Sequence, residues 1–229
     1  MADVTDKLAG CDFPVVRSWL KLPEDVAGVV DACVSASDAL DRLEWAGFLM
    51  EAAQVVAHAL PKRESVWWAC MCADYTAPAD LPMADLEARD AAENWVRFHT
   101  DLLCRNAMDY AEAAGFRSPE AWAAVAAFWS GGSLAPPGQP LVKPAPQLTG
   151  TAVFAAIRLA AVRDDPGETE ARLQVFLRAA REIAEGGTGR LTEDPAESTI
   201  RRRYVFGGLS AETADGAPQS TASFGPKSQ

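Results

Sequence analysis

The sequence predicts an all-α protein, a single bundle of about eight helices arranged as antiparallel helical hairpins. Three observations carry that prediction. Much of the 49% hydrophobic fraction is alanine, the best helix former. Apolar residues recur at helical spacing in segment after segment, and no alternating pattern reads as a strand hairpin. The connections are short and marked by proline, glycine or a capping serine or threonine, which makes sequential helices antiparallel neighbours.

The stretch Lys62–Tyr75, KRESVWWACMCADY, organises the rest. Two adjacent tryptophans, a Cys-Met-Cys triplet and almost no polar side chain before Asp74 leave a helix here with no face that favours water. It is expected to run through the centre of the fold.

Residues 1–12 are polar and read as frayed, within an N-terminal segment 1–22. Phe13–Leu20 fits either a short strand or a turn of helix. After Pro23, the acids Glu24 and Asp25 suit a first helical turn, and Val26, Val29, Val30 and Cys33 fall on one face. Ser37 is the expected N-cap of a second helix with Leu40 and Leu43 inward, broken near Gly47. A third helix places Leu49, Ala52, Val55, Val56, Ala59 and Leu60 on its apolar side, and Pro61 closes it and opens the central helix.

Thr76–Pro82 reads as a loop. Leu86–Phe98 is helical, with Ala91, Trp95, Phe98 and Leu102 one above another. Thr100 can cap the next helix, which runs to Gly115, a C′ glycine followed by Phe116. Ser118-Pro119-Glu120 is a strong start signal: cap, proline at N1, then an acid. That helix carries Trp122, Val125, Phe128 and Trp129 and stops at Gly131-Gly132.

Ser133–Gly150 differs from everything before it. Five prolines (Pro136, Pro137, Pro140, Pro144, Pro146) forbid a helix and disfavour a central strand. Its Leu134, Leu141, Val142 and Leu148 favour an extended arm lying along the surface over a free linker. Thr151–Val162 returns to an apolar helix, Asp164–Gly167 is a turn, and Glu168–Glu185 is the most amphipathic segment. The all-α domain is therefore expected over 23–187, with the arm at 133–150. Residues 188–229 are Ser/Thr/Gly/Pro-rich and read as a mostly disordered tail. Within that tail, Arg201-Arg202-Arg203-Tyr204-Val205-Phe206 is a basic and aromatic patch able to dock on the body or on a partner.

A net charge of −11 and a pI near 4.7 argue against binding nucleic acid or an anionic membrane, both of which need a basic surface. No apolar run approaches the roughly 20 residues of a membrane span. The N-terminus shows no basic region followed by an apolar run, so no signal peptide is expected. Five cysteines, an odd number in a chain of this length, fit reduced thiols and a cytoplasmic protein.

No catalytic, cofactor or metal constellation emerges. Cys70-Met71-Cys72 with His58 or His99 has the wrong spacing for structural zinc, which takes two separated close pairs, and for a Cys-x-x-Cys redox site. Ser130-Gly131-Gly132-Ser133 lacks the Gly-x-Ser-x-Gly spacing, and Gly186-Gly187-Thr188-Gly189 lacks the Lys-Ser/Thr ending of a phosphate loop. Trp67, Trp68, Cys70, Trp95, Trp122 and Trp129 are therefore read as structural core.

Lys62-Arg63-Glu64 with Trp67-Trp68-Ala69-Cys70, then Ala113-Ala114-Gly115-Phe116, Pro119-Glu120-Ala121-Trp122 and Phe128–Pro137, resemble a family of uncharacterised proteobacterial proteins of unknown function. The likeness spans roughly 43–185. It implies a bacterial protein with no known activity, of a kind sometimes encoded beside type VI secretion genes. Together these readings point to a non-enzymatic, cofactor-free interaction module, an adaptor or accessory protein holding a protein partner. The expected contacts are Leu141 and Val142 on the arm and Arg201, Arg202, Arg203, Tyr204 and Phe206 in the tail. A homo-oligomer with the arm wrapping a neighbour is a further possibility. The alternative from another class is a small-ligand binder or enzyme with a pocket lined by Trp67, Trp95 and His58.

Overall fold

The computed structural model describes residues 6–191, and among these the fold is entirely helical. The helices are α1 (Phe13–Trp19), α2 (Glu24–Asp31), α3 (Ala36–Trp45), α4 (Leu49–Ala59), α5 (Lys62–Tyr75), α6 (Met83–Phe98), α7 (Asp101–Ala113), α8 (Pro119–Trp129), α9 (Leu148–Val162) and α10 (Thr169–Ala184). A 3-10 turn at Pro166–Glu168 leads into α10. Ten α-helices thus replace the expected eight, partly because Phe13–Trp19 resolves as a helix. Asp12 caps it, its carboxylate accepting from the Val15 amide.

The all-apolar stretch does sit at the centre. Helix α5 packs against α4, α6, α8, α9 and α10, and Val66, Trp68, Ala69, Cys70, Cys72 and Ala73 are fully buried. Trp68 supplies the largest such side chain, and its indole Nε1 donates to the Phe176 carbonyl of α10 at 2.8 Å. Helix α9 is the second inner helix. Its small residues Gly150, Ala152, Ala156, Ala160 and Ala161 let it approach α4, α5 and α8 closely. At Gly150 a Cβ would stand 2.6 Å from the His58 ring and 2.9 Å from the Ala57 carbonyl.

Several local expectations change. Ser35, not Ser37, caps α3, its hydroxyl accepting from the Asp38 amide at 3.1 Å, while Ser37 donates to Asp6. Of the residues expected one above another, Ala91 and Trp95 are buried, but Phe98 and Leu102 are 66% and 67% exposed. His99 adopts the left-handed conformation (φ 51°) and turns the chain, so the period carried from α6 does not continue into α7. Residues 6–12 are not frayed. Leu8 is buried, and the Lys7 amide donates to the Ala184 carbonyl at 3.0 Å. At the other end, Thr188–Leu191, expected in the tail, lies against the body: the Trp67 indole donates to the Thr188 carbonyl at 2.7 Å.

Gly131 explains how α8 can end against α7. A Cβ there would fall well inside contact with the Cys104 sulfur. Gly131→Ala is therefore expected to cost about 1–3 kcal/mol by overpacking. Urea melts should show that loss largely relieved in the Cys104→Ala background. An equal loss in both backgrounds would mean that the sulfur is not the obstacle.

Candidate functional site

The candidate site is the proline-rich segment between α8 and α9. It differs in part from the expected arm: Leu134 and Leu148 are half-buried, but Leu141 and Val142 do not lie against the surface. It closes on itself through polar bonds. The Ser133 hydroxyl accepts from the Ala135 and Val142 amides at 3.1 and 3.2 Å, and the Leu134 amide donates to the Val142 carbonyl at 2.8 Å. Arg105 of α7, paired with Asp101, donates through Nη1 to the Ala135 carbonyl at 2.9 Å. At the tip, the Gln139 amide donates to the Pro136 carbonyl, with Gly138 at φ 81°, so Pro137-Gly138 forms a turn that needs a glycine at its third position.

Leu134 and Leu148 are half-buried, whereas Leu141 and Val142 project outward at 64% and 51% exposure. Pro140 and Pro144 flank them and restrict the backbone on either side. Lys143 carries the loop's single charge. Asp101, which pairs with Arg105, is the neighbour of the exposed Leu102, and the exposed Phe98 ends α6 on the other side of the α6–α7 corner. Arg105 thus ties the loop, at Ala135, to the first turn of α7, at Asp101.

A second feature lies at the opposite end of α9. Glu120 in the first turn of α8 is fully buried and receives both guanidinium nitrogens of Arg163, at 2.9 and 2.5 Å. Arg163 also reaches the Ala73 carbonyl near the end of α5. Beside this junction a cleft of about 450 Å³ is lined by Tyr75, Thr76, Ala77, Pro78, Asp164, Glu168, Ala171, Arg172 and Val175. Arg172, on the cleft wall, donates to the Ala161 and Arg163 carbonyls at the end of α9. Local patterning marks Glu120 only as an N-terminal acid and Asp164–Gly167 only as a turn. A partner 43 residues away is invisible to local patterning.

Of the residues read as core, Trp68, Cys70 and Trp95 are buried, while Trp67, Trp122 and Trp129 are half-buried and packed against the core. Trp122 and Trp129 meet edge to face, with ring centroids 6.3 Å apart. Trp67, Trp95 and His58 do not line the cleft, and each is held by a different neighbour. Trp67 bonds Thr188, Trp95 packs on His99, and His58 packs on Trp19. Burial holds the Cys70 and Cys72 thiols well above their ordinary range, as inert core groups. Among the described residues no group of three or more His, Cys, Asp or Glu is placed to hold a metal ion. Among the described residues no helix is long and apolar enough to cross a membrane. Arg201, Arg202, Arg203, Tyr204 and Phe206 lie outside the described residues.

His58 carries a pH consequence. Burial lowers its pKa below the usual 6.5, outweighing the opposing effect of its bond to the Gln54 carbonyl, to which neutral Nδ1 donates at 2.9 Å. The folded state therefore resists the proton that the unfolded chain accepts below pH 6.5. Above that value His58 contributes nothing to the pH slope; below it, stability falls as the pH falls. Urea midpoints at pH 7.5 and 5.5 should differ more for the wild type than for His58→Gln. An identical slope in both would remove His58 from the account.

Residues 39–184 match the model of a family of unknown function, DUF6931, and the chain belongs to that family. No curated protein and no solved structure matches it.

Proposed function

We propose that this member of the DUF6931 family is a non-enzymatic protein-interaction module that holds a protein partner through the loop 133–147 and the adjoining α6–α7 corner. One observation carries the reading: Leu141 and Val142 are exposed on a loop whose backbone is fixed by Ser133 and Arg105. An apolar pair in solvent is unfavourable, and a loop held in place loses little entropy on binding, so both features favour recognition. The resemblance to bacterial proteins encoded beside type VI secretion genes supplies a setting, that of a cytoplasmic adaptor or accessory factor for a secretion apparatus. The tail patch Arg201–Phe206 is a second candidate contact.

The test is an affinity capture from the source organism with three baits: the full chain, a chain ending at Leu191, and the full chain carrying Leu141→Asp and Val142→Asp. A stoichiometric partner retained by the truncated chain and lost with the loop variant supports the loop. A partner lost only on truncation moves the site to the tail. The cut belongs at Leu191 because Thr188 is bonded to Trp67.

A further inference from the structure

The first turn of α5 runs against its own electrostatics. Lys62 and Arg63 open the helix, where the macrodipole favours acids, and Pro61 supplies no side-chain cap to offset them. Both are exposed, in a chain whose net charge is −11. Glu64, the next residue, pairs with Lys7 at 3.1 Å, and among the described residues no carboxylate lies within ion-pair distance of Lys62 or Arg63.

The fold carries these two cations to the α6–α7 corner. Arg63 donates through Nε to the Val96 carbonyl at 2.9 Å, which brings its guanidinium to the last turn of α6, the turn of Arg97 and Phe98. Burial, helped by Asp101, pushes the Cys104 thiol up to about 11, and the positive charges of Arg105 and Lys62 oppose that rise, so Lys62 lies near the first turn of α7. The acids at the corner are already engaged: Asp101 with Arg105 at 2.8 Å, and Glu93 with Arg97 and Arg89 at 3.7 and 3.8 Å. Phe98 and Leu102 stand exposed among these charges. An acidic chain thus presents one corner that is both cationic and apolar.

We propose that the α6–α7 corner and the start of α5 together hold an acidic segment of a partner protein, its carboxylates on Lys62, Arg63 and Arg97 and its apolar side chains on Phe98 and Leu102. This rests on the reading of the corner as a contact surface and names the chemistry of what it contacts. Charge complementarity selects that occupant. A basic segment would meet like charge, and an uncharged one would cover the cations without pairing them. An anionic bilayer has the right sign, but as a broad plane it repels the acidic chain as a whole, whereas a short segment meets the corner alone. The unfavourable start of α5 is then a stability cost that serves binding.

Fluorescence anisotropy with the full chain tests this. The probe is a labelled peptide with leucine and phenylalanine set among glutamates, and two controls carry glutamine or lysine for every glutamate. The glutamate peptide is expected to bind with a Kd of about 100 µM or tighter, and each control about tenfold more weakly or worse. Affinity should fall between about 0.1 and about 1 M salt, as the screening length shortens from about 10 to about 3 Å. Lys62→Glu is the decisive variant. An acid at that position suits the helix dipole, so the melting temperature should hold or rise while binding weakens several-fold. A residue kept for the fold alone would give the reverse. Lys62→Glu with Arg97→Gln should weaken binding about tenfold or more, and Phe98→Asp should do the same with an unchanged melt.

Equal affinity for the three peptides overturns the proposal, and so does no binding by any of them up to about 1 mM. Binding that both Lys62→Glu and Phe98→Asp leave intact overturns it as well. Binding to phosphatidylserine vesicles with none to the peptide assigns the corner to a membrane and overturns it too. If the peptide fails while Leu141→Asp with Val142→Asp still abolishes a captured partner, the acidic segment falls and the docking loop stands. If neither the peptide nor the capture responds, both fall.

Discussion

Glu120→Ala is expected to destabilise the protein by about 3–5 kcal/mol, the usual cost of stranding one charge of a buried pair. For a chain of this size the melting temperature should fall by roughly 10 °C. The reason is local. Glu120 is fully buried in the first turn of α8, and Arg163 reaches it through two nitrogens while also touching the end of α5. Removing the carboxylate leaves a guanidinium with little access to water where three helix ends meet. The double variant Glu120→Met, Arg163→Met should recover most of the loss, because no charge then stays buried. Denaturant melts of the three proteins decide the matter. A single variant within about 0.5 kcal/mol of wild type, as at an ordinary surface position, would mean the pair is solvated.

Trp68→Ala is the other large effect. The side chain is fully buried between α5 and α10, and emptying that volume is expected to cost about 3–5 kcal/mol. Trp68→Phe keeps most of the ring volume but removes the donor to the Phe176 carbonyl. It should cost distinctly less, by an amount that reflects a smaller cavity and about 1 kcal/mol for the lost bond. Equal losses for the two variants would contradict a site governed by volume.

How much of this was legible follows from the range of each interaction. The boundaries of α5 and α8 could be read because their signals are local: Pro61 before an apolar run, and Ser118-Pro119 before another. The cap of α3 was misassigned to Ser37, although Ser35 stands three residues before Asp38 and so has the spacing of a reciprocal cap. The stack expected of Ala91, Trp95, Phe98 and Leu102 holds only for Ala91 and Trp95, because α6 ends at Phe98 and the left-handed His99 turns the chain before Leu102.

The prolines mark the loop as distinct, and of the four apolar residues expected to hold it to the surface, Leu134 and Leu148 are half-buried while Leu141 and Val142, also expected as partner contacts, are exposed. The anchoring is polar, from Ser133 nearby and from Arg105, thirty residues away from its acceptor. The same long range hid the Glu120–Arg163 pair and the cleft beside it. Arginines and acids distant in the chain carry no periodic signature, so only the folded chain brings them together.

The central claim is that Leu141 and Val142 form a fixed contact surface for protein. Site-specific photo-crosslinking in the source organism tests it most directly, with a photoreactive amino acid at Val142 and, as a control, at the exposed Asp25 on α2. A discrete protein adduct is expected at Val142 and none at Asp25. No adduct at Val142, or the same diffuse labelling from both positions, would contradict it.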